Sequence, residues 1–169
     1  IHHYKHKLNR LFMTFFSDYI DPIDKSKLIF YKNSLFSKNN KYEIINISGC
    51  KVVNFLNNIN EDKFYGNTSF YNNYLEWLSS TLKMSLYKIR SEIFEGIKIK
   101  KNGKVLFIGC GLGDEINFFY KKFKKKNTQI YGQDYSKKFI LQTAKKFKNK
   151  NIKLTISDAH ALPYKTNYF

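Results

Sequence analysis

A chain of 169 residues, 43% hydrophobic and 25% charged, has the composition of a folded protein with a real core, which excludes wholesale disorder. No apolar run approaches the roughly 20 residues that cross a bilayer, and residues 11–16 are too short for a secretory leader. The net charge of +17 raises nucleic acid as a partner. Two features weigh against it. The basic residues are nearly all Lys, with only Arg10 and Arg90 carrying the guanidinium fork that suits phosphates and bases. The abundant Lys, Asn, Ile, Phe and Tyr are also all served by A/T-rich codons. A nucleic-acid partner is therefore the second reading, behind a basic solvated surface.

The first hundred residues carry 15 basic and 9 acidic side chains, and the remainder 15 and 4. Cys50 and Cys110 make no framework of bridges, which fits a reducing, cytoplasmic setting. His2, His3 and His6 read as a terminal cluster, and no resident metal is expected.

In chain order, residues 5–19 read as a helix. Residues 42–47 and 51–56 form a hairpin around Ser48-Gly49, and the polar stretch 57–68 is a linker. Residues 1–66 are thus set apart as an α+β extension or small accessory domain, with a second domain over 67–169. Residues 71–97 read as one long helix or a pair. Tyr74, Leu75, Leu78, Leu82, Leu86, Ile89 and Ile93 form a stripe expected to pack on a sheet. This helix and residues 64–71 are candidates for a lid.

The pattern is clearest from Lys104. Residues 104–108 form a short apolar run ending in glycines, as a strand buried on both faces does. Residues 114–126 follow as a helix, with acids in its first turn and lysines at its end, both complementing the helix dipole. Residues 129–133 form a strand ending in Asp134. Ser136 caps a helix running to about 148, with Phe139, Ile140, Ala144 and Phe147 buried. Residues 152–156 alternate apolar and polar side chains as a third strand, ending at Asp158. Strand, helix, strand, helix, strand specifies a parallel sheet with right-handed crossovers, an α/β fold.

A glycine-rich turn between strand and helix lets a ligand approach the backbone beside free helix amides. In the dinucleotide fingerprint Gly-x-Gly-x-x-Gly those amides hold a pyrophosphate. Here the third glycine, Gly113, comes one residue early. Asp114 and Glu115 follow at once and would repel a pyrophosphate, whereas a sulfonium-bearing amino acid tolerates them. Asp134, 21 residues beyond Gly113, can accept both ribose hydroxyls. Asp158 can accept an adenine amino group from the end of the third strand. Cys110 reads as a small residue in a crowded turn, and His160 as a solvated loop histidine.

Three ordered motifs resemble those of class I, Rossmann-like S-adenosylmethionine-dependent methyltransferases: Val105 to Gly113, then Gly132-Gln133-Asp134-Tyr135-Ser136, then Ser157 to Tyr164. The closest flavour is the small-molecule group typified by the ubiquinone/menaquinone-biosynthesis methyltransferases, and the likeness covers about residues 71–169. It implies S-adenosylmethionine as cofactor, with Gly109, Cys110, Gly111 and Gly113 at its methionine part. Asp134 would take the ribose, Tyr135 would pack beside the adenine, and Asp158 and Ala159 would meet the adenine edge. It also implies a small-molecule methyl acceptor, for which no catalytic residue is assigned. Two departures stand out. Phe107 takes the place of a usual acid two positions before the first glycine, and the family's later strands, with most of the acceptor pocket, do not follow. The cofactor-binding half alone is therefore expected to be inactive, and a three-strand remnant with an exposed edge to be marginal. An RNA methyltransferase, a nicotinamide-dependent oxidoreductase and a non-catalytic remnant are the competing readings.

Overall fold

A computed structural model of the chain describes residues 15–56, 68–123, 126–148 and 150–169. Its first four strands are β1 (Ile29–Tyr31), β2 (Ser34–Phe36), β3 (Lys41–Ile47) and β4 (Cys50–Asn54), each antiparallel to the next. Two of the connections are two-residue turns. Lys32 and Asn33 have φ of 45° and 60°, and Ser48 and Gly49 have 51° and 85°. Positive φ at both central residues makes turns whose twist matches that of the strands. The turn at Ser48-Gly49 is legible in the sequence. The one at Lys32-Asn33 is not, because Lys is a poor turn signal and the strands it joins have three residues each.

Two helices follow, α1 (Thr68–Thr81) and α2 (Leu86–Ile93), the second capped by the Ser85 side chain, which accepts from the Lys88 amide at 3.2 Å. The remainder alternates as predicted: β5 (Lys104–Ile108), α3 (Asp114–Phe123), β6 (Gln129–Asp134), α4 (Lys137–Lys146) and β7 (Ile152–Ile156). The seven strands form one sheet in the order β1-β2-β3-β4-β7-β6-β5. β5, β6 and β7 are mutually parallel, and β4 joins β7 in parallel, with Val52 opposite Leu154 and Asn54 opposite Ile156. The fold is a mixed α/β sheet flanked by helices, Rossmann-like in its second half, with a β-rich N-terminal extension.

This topology corrects the expectation of an isolated three-strand remnant. The leading segment adds four strands beyond β7, which becomes an interior strand paired on both sides, while β5 and β1 are the edges among the described strands. β7 is accordingly buried along its whole length instead of alternating. On one face Val52, Ile130, Leu154 and Ile156 pack with Ile116 and Phe119 of α3 and Ile140 and Ala144 of α4. On the other, Val53, Tyr131, Leu35 and Tyr42 pack under Phe16, Tyr19 and Tyr164. Lys153, only 7% exposed, lies in the middle of this second face. Its ammonium pairs with Asp18 and donates to the Phe15 carbonyl at 2.9 Å. The Tyr131 hydroxyl donates to the same carboxylate at 2.8 Å. Burial acts against the charge on Asp18, but hydrogen bonds from Lys153, Tyr168 and Tyr131 prevail and hold its carboxyl below the ordinary value.

The expected stripe over residues 71–97 is a pair of helices and is not core. Tyr74, Leu82 and Ile93 are exposed, and α2 buries none of its residues. The anchor is Phe94, just past α2, which packs against Phe107, Phe118 and Phe119. Helical spacing identifies an apolar stripe, but the sheet face it would cover is already filled by α3 and α4. The predicted helix over 5–19 lies largely outside the described residues, as do the linker, the 66/67 boundary, the first half of the 64–71 lid segment and the cluster of His2, His3 and His6. Among the described residues no helix is long and apolar enough to cross a membrane.

Candidate ligand site at the glycine turn

The C-terminal ends of β5, β6 and β7 meet at the turn from Gly109 to Gly113. Gly109, Gly111 and Gly113 have φ of 65°, 51° and 74°, a region L side chains rarely adopt. Their surroundings differ. A Cβ on Gly113 would lie 2.6 Å from Thr143 Cγ2 and 2.9 Å from Phe147, so this glycine lets α4 close on the turn. A Cβ on Gly109 would meet nothing within 4 Å, so that glycine faces open space at the strand end. Gly132 has a packing role: a Cβ there would strike Ile116 and Leu154 at 2.8 Å and Cys110 Sγ at 3.2 Å.

Two side chains from β6 hold the turn. The Gln133 amide oxygen accepts from the Gly109 amide at 3.2 Å, and its NH2 donates to the Ser157 carbonyl. One buried side chain therefore ties the ends of β5 and β7 together. The neighbouring Asp134, 8% exposed, accepts the Gly111 amide at 2.7 Å on one oxygen and the Ser136 amide at 2.8 Å on the other. The Thr143 hydroxyl donates to the Gly111 carbonyl at 2.9 Å. Sequence reading missed Gln133 and Thr143. A buried polar residue next to the predicted acid was the available signal for Gln133, and Thr143 gave none, lying in the buried stripe of α4.

Cys110 is buried beside this network. Burial pushes its thiol well above the usual range, with the Asp134 carboxylate adding to the effect, as suits a packing residue. Asp158 and Ala159 follow β7, where the Asp158 carboxylate accepts the His160 amide at 2.8 Å and pairs with its Nδ1 at 2.9 Å. The backbone bond from His160 is the main reason that this carboxyl is held below its usual value. Tyr135 is half-buried at the β6 end. All eight predicted site residues thus lie at or just beyond the ends of three adjacent strands.

Two expectations about charge and polarity change. Asp114 and Glu115 do not stand as bare charges at the mouth. Arg90 of α2 pairs with Glu115 at 3.0 Å and Asp114 at 3.7 Å, and Lys146 pairs with Asp114 at 3.1 Å. Their compensated charge is a weak barrier to pyrophosphate. The carboxylate that can oppose an anion in the turn is Asp134, bonded inside it. Phe107 in turn packs against Phe94 and Phe119, with ring centroids 6.2 and 5.4 Å away. Its side chain belongs to the aromatic core under the helices, so an acid there would lie among rings instead of beside a ligand.

Residues 105–169, which contain the glycine turn and all eight predicted site residues, match the profile of a family described as Methyltransferase domain. No curated protein matches the chain. The profile match agrees with the strand order and the Rossmann-like turn. It names a methyltransferase-domain family in general, without a particular acceptor.

Proposed function

We propose that the chain binds S-adenosylmethionine at the glycine turn and serves methyl transfer to a small-molecule acceptor. One observation carries the reading: the Asp134 carboxylate is hydrogen-bonded into the turn through the Gly111 amide. A carboxylate seated there opposes a pyrophosphate but suits ribose hydroxyls. Each of its oxygens has one protein donor, leaving lone pairs for two O–H groups. The described cations paired at the turn, Arg90 and Lys146, are engaged by Asp114 and Glu115. The donor set therefore fits a nucleoside with an amino-acid arm better than a dinucleotide.

When bound, the cofactor supplies an electrophilic methyl group on a sulfonium. Gly109 leaves room for its amino-acid arm, and Asp134 orients the ribose. Tyr135 packs beside the adenine, whose edge meets Asp158 and Ala159. The Gln133 bridge keeps the two outer strand ends at a fixed spacing, which sets the direction in which a methyl would be presented. Such transfer depends chiefly on in-line positioning, since the leaving group is neutral. These residues handle the cofactor, and none is assigned to the acceptor. The division into an accessory part, 1–66, and a cofactor-binding part, 67–169, belongs to the same reading.

Calorimetric titration of the chain with S-adenosylhomocysteine and with NAD tests it. Binding of the former, with NAD weaker by at least a hundredfold, is expected. NAD binding more tightly would overturn the reading.

A further inference from the structure

The cofactor reading uses only the C-terminal ends of β5, β6 and β7. The opposite ends carry a different chemistry. Three connections lead into them: residues 94–103, 124–128 and 147–151. Their described residues carry Lys98, Lys100, Lys101, Lys126, Lys148 and Lys150 against one acid, Glu95, and Lys121 and Lys122 stand in the last turn of α3 just before the second of them. The four acids after residue 101, Asp114, Glu115, Asp134 and Asp158, all lie at the C-terminal strand ends instead. Codon bias raises the number of lysines, but it does not by itself leave a single acid, Glu95, against these eight lysines at one end of the strands.

The connections are bound into one surface. The Asn102 amide donates to the Lys126 carbonyl at 2.9 Å, and the Gln129 amide to the Gly103 carbonyl at 2.9 Å. Gln129 Nε2 reaches the Asn151 carbonyl at 3.0 Å. Within this surface is a cavity of about 150 Å³ lined by the rings of Phe119, Tyr120 and Phe123 and by Asn127, Thr128 and Asn151. The Thr128 hydroxyl is buried without a hydrogen-bond partner among the described residues. The Lys150 ammonium lies 4.6 Å from the centre of the Tyr120 ring.

We propose that this N-terminal edge of the sheet binds single-stranded nucleic acid, with lysines along the phosphates and one base in the aromatic cavity. Aromatic faces beside a cationic track are how sequence-tolerant single-strand binding works. The Thr128 hydroxyl and the two Asn side chains provide polar contacts for a base edge. The rings are recessed between polar side chains, whereas a membrane-binding surface presents protruding apolar groups. The site lies at the opposite strand ends from the glycine turn and does not depend on the cofactor reading.

The test is fluorescence anisotropy of labelled twelve-nucleotide oligoadenylates, RNA and DNA, with the full chain and no cofactor. Binding is expected to weaken with salt at a log-log slope of about −3, the value for four phosphate contacts on a single strand. The variant K121Q/K122Q/K126Q/K150Q should lose about tenfold or more in affinity at 100 mM salt. The charge-matched control K27Q/K32Q/K38Q/K41Q on the N-terminal strands should lose far less. Equal losses in the two variants, or no binding by the parent chain, would overturn the proposal, as would tighter binding to phosphatidylserine vesicles. An abasic oligomer should bind about fivefold more weakly than oligoadenylate. Equal affinity for the two would remove the base from the proposal, as would a Thr128→Val variant that binds both as the parent does.

Discussion

The Asp134 carboxylate accepts the Gly111 amide at 2.7 Å, so the acid ending the second parallel strand is built into the glycine turn of the first. Its other oxygen takes the Ser136 amide at the start of α4. The residue that would orient the ribose therefore also holds the turn in shape. Asp134→Asn presents an NH2 group to one of these amides and leaves it unmet. The variant is expected to lose about 1–2 kcal/mol in urea unfolding and at least tenfold in S-adenosylhomocysteine affinity. Stability loss with undiminished affinity would show that the carboxylate is structural only.

Gly109 and Gly113 separate the two consequences of a glycine turn. Gly113→Ala drives a methyl group into Thr143 and Phe147, at a positive φ, and should cost about 2–3 kcal/mol. Gly109→Ala meets open space. It should cost only about 1 kcal/mol, from its φ alone, yet reduce ligand binding by filling the approach side. Thermal unfolding and calorimetry on the two variants together check this opposite ordering.

Asp18 and Lys153 form an ion pair between the N-terminal segment and the middle of β7. Lys153→Met leaves a part-buried carboxylate without its cation and should destabilise by about 3 kcal/mol. Asp18→Leu combined with Lys153→Met should recover most of that loss, because an apolar pair suits a face already lined with aromatic rings. A double-mutant cycle by urea unfolding reads the difference.

Asp21 is fully buried and accepts bonds from the Ile23 and Asp24 amides, the Asn40 side chain and the Tyr42 hydroxyl. Burial opposes its charge, but the bonds from Ser37, Ile23, Asn40 and Asp24 outweigh it and lower its pKa from 3.8 to about 2. The folded value is depressed, so its stabilisation is complete above the unfolded value and is lost as pH falls through the folded one. Asp21→Asn should flatten the stability profile between about pH 4 and pH 2, where the parent chain loses about 2 kcal/mol from this group.

Local chemistry by itself determined the second half of the chain. The run ending at Ile108, the glycines, the capping Ser136 and the acids Asp134 and Asp158 all act within a few residues of sequence, through turn geometry, capping and strand termination. The candidate site was legible for that reason. Three decisions needed distant parts of the chain. Whether the stripe over Tyr74, Leu82 and Ile93 is buried depended on which helices already covered the sheet, and α3 and α4 did. Whether Asp114 and Glu115 act as free charges depended on Arg90 and Lys146 arriving from two other helices. Whether β7 is an edge depended on β4, some hundred residues earlier, finding it as a parallel partner. Periodicity shows which face of an element is apolar. Only the packed sheet decides what that face meets, because burial and charge compensation are properties of neighbours, and those neighbours come together only in the fold.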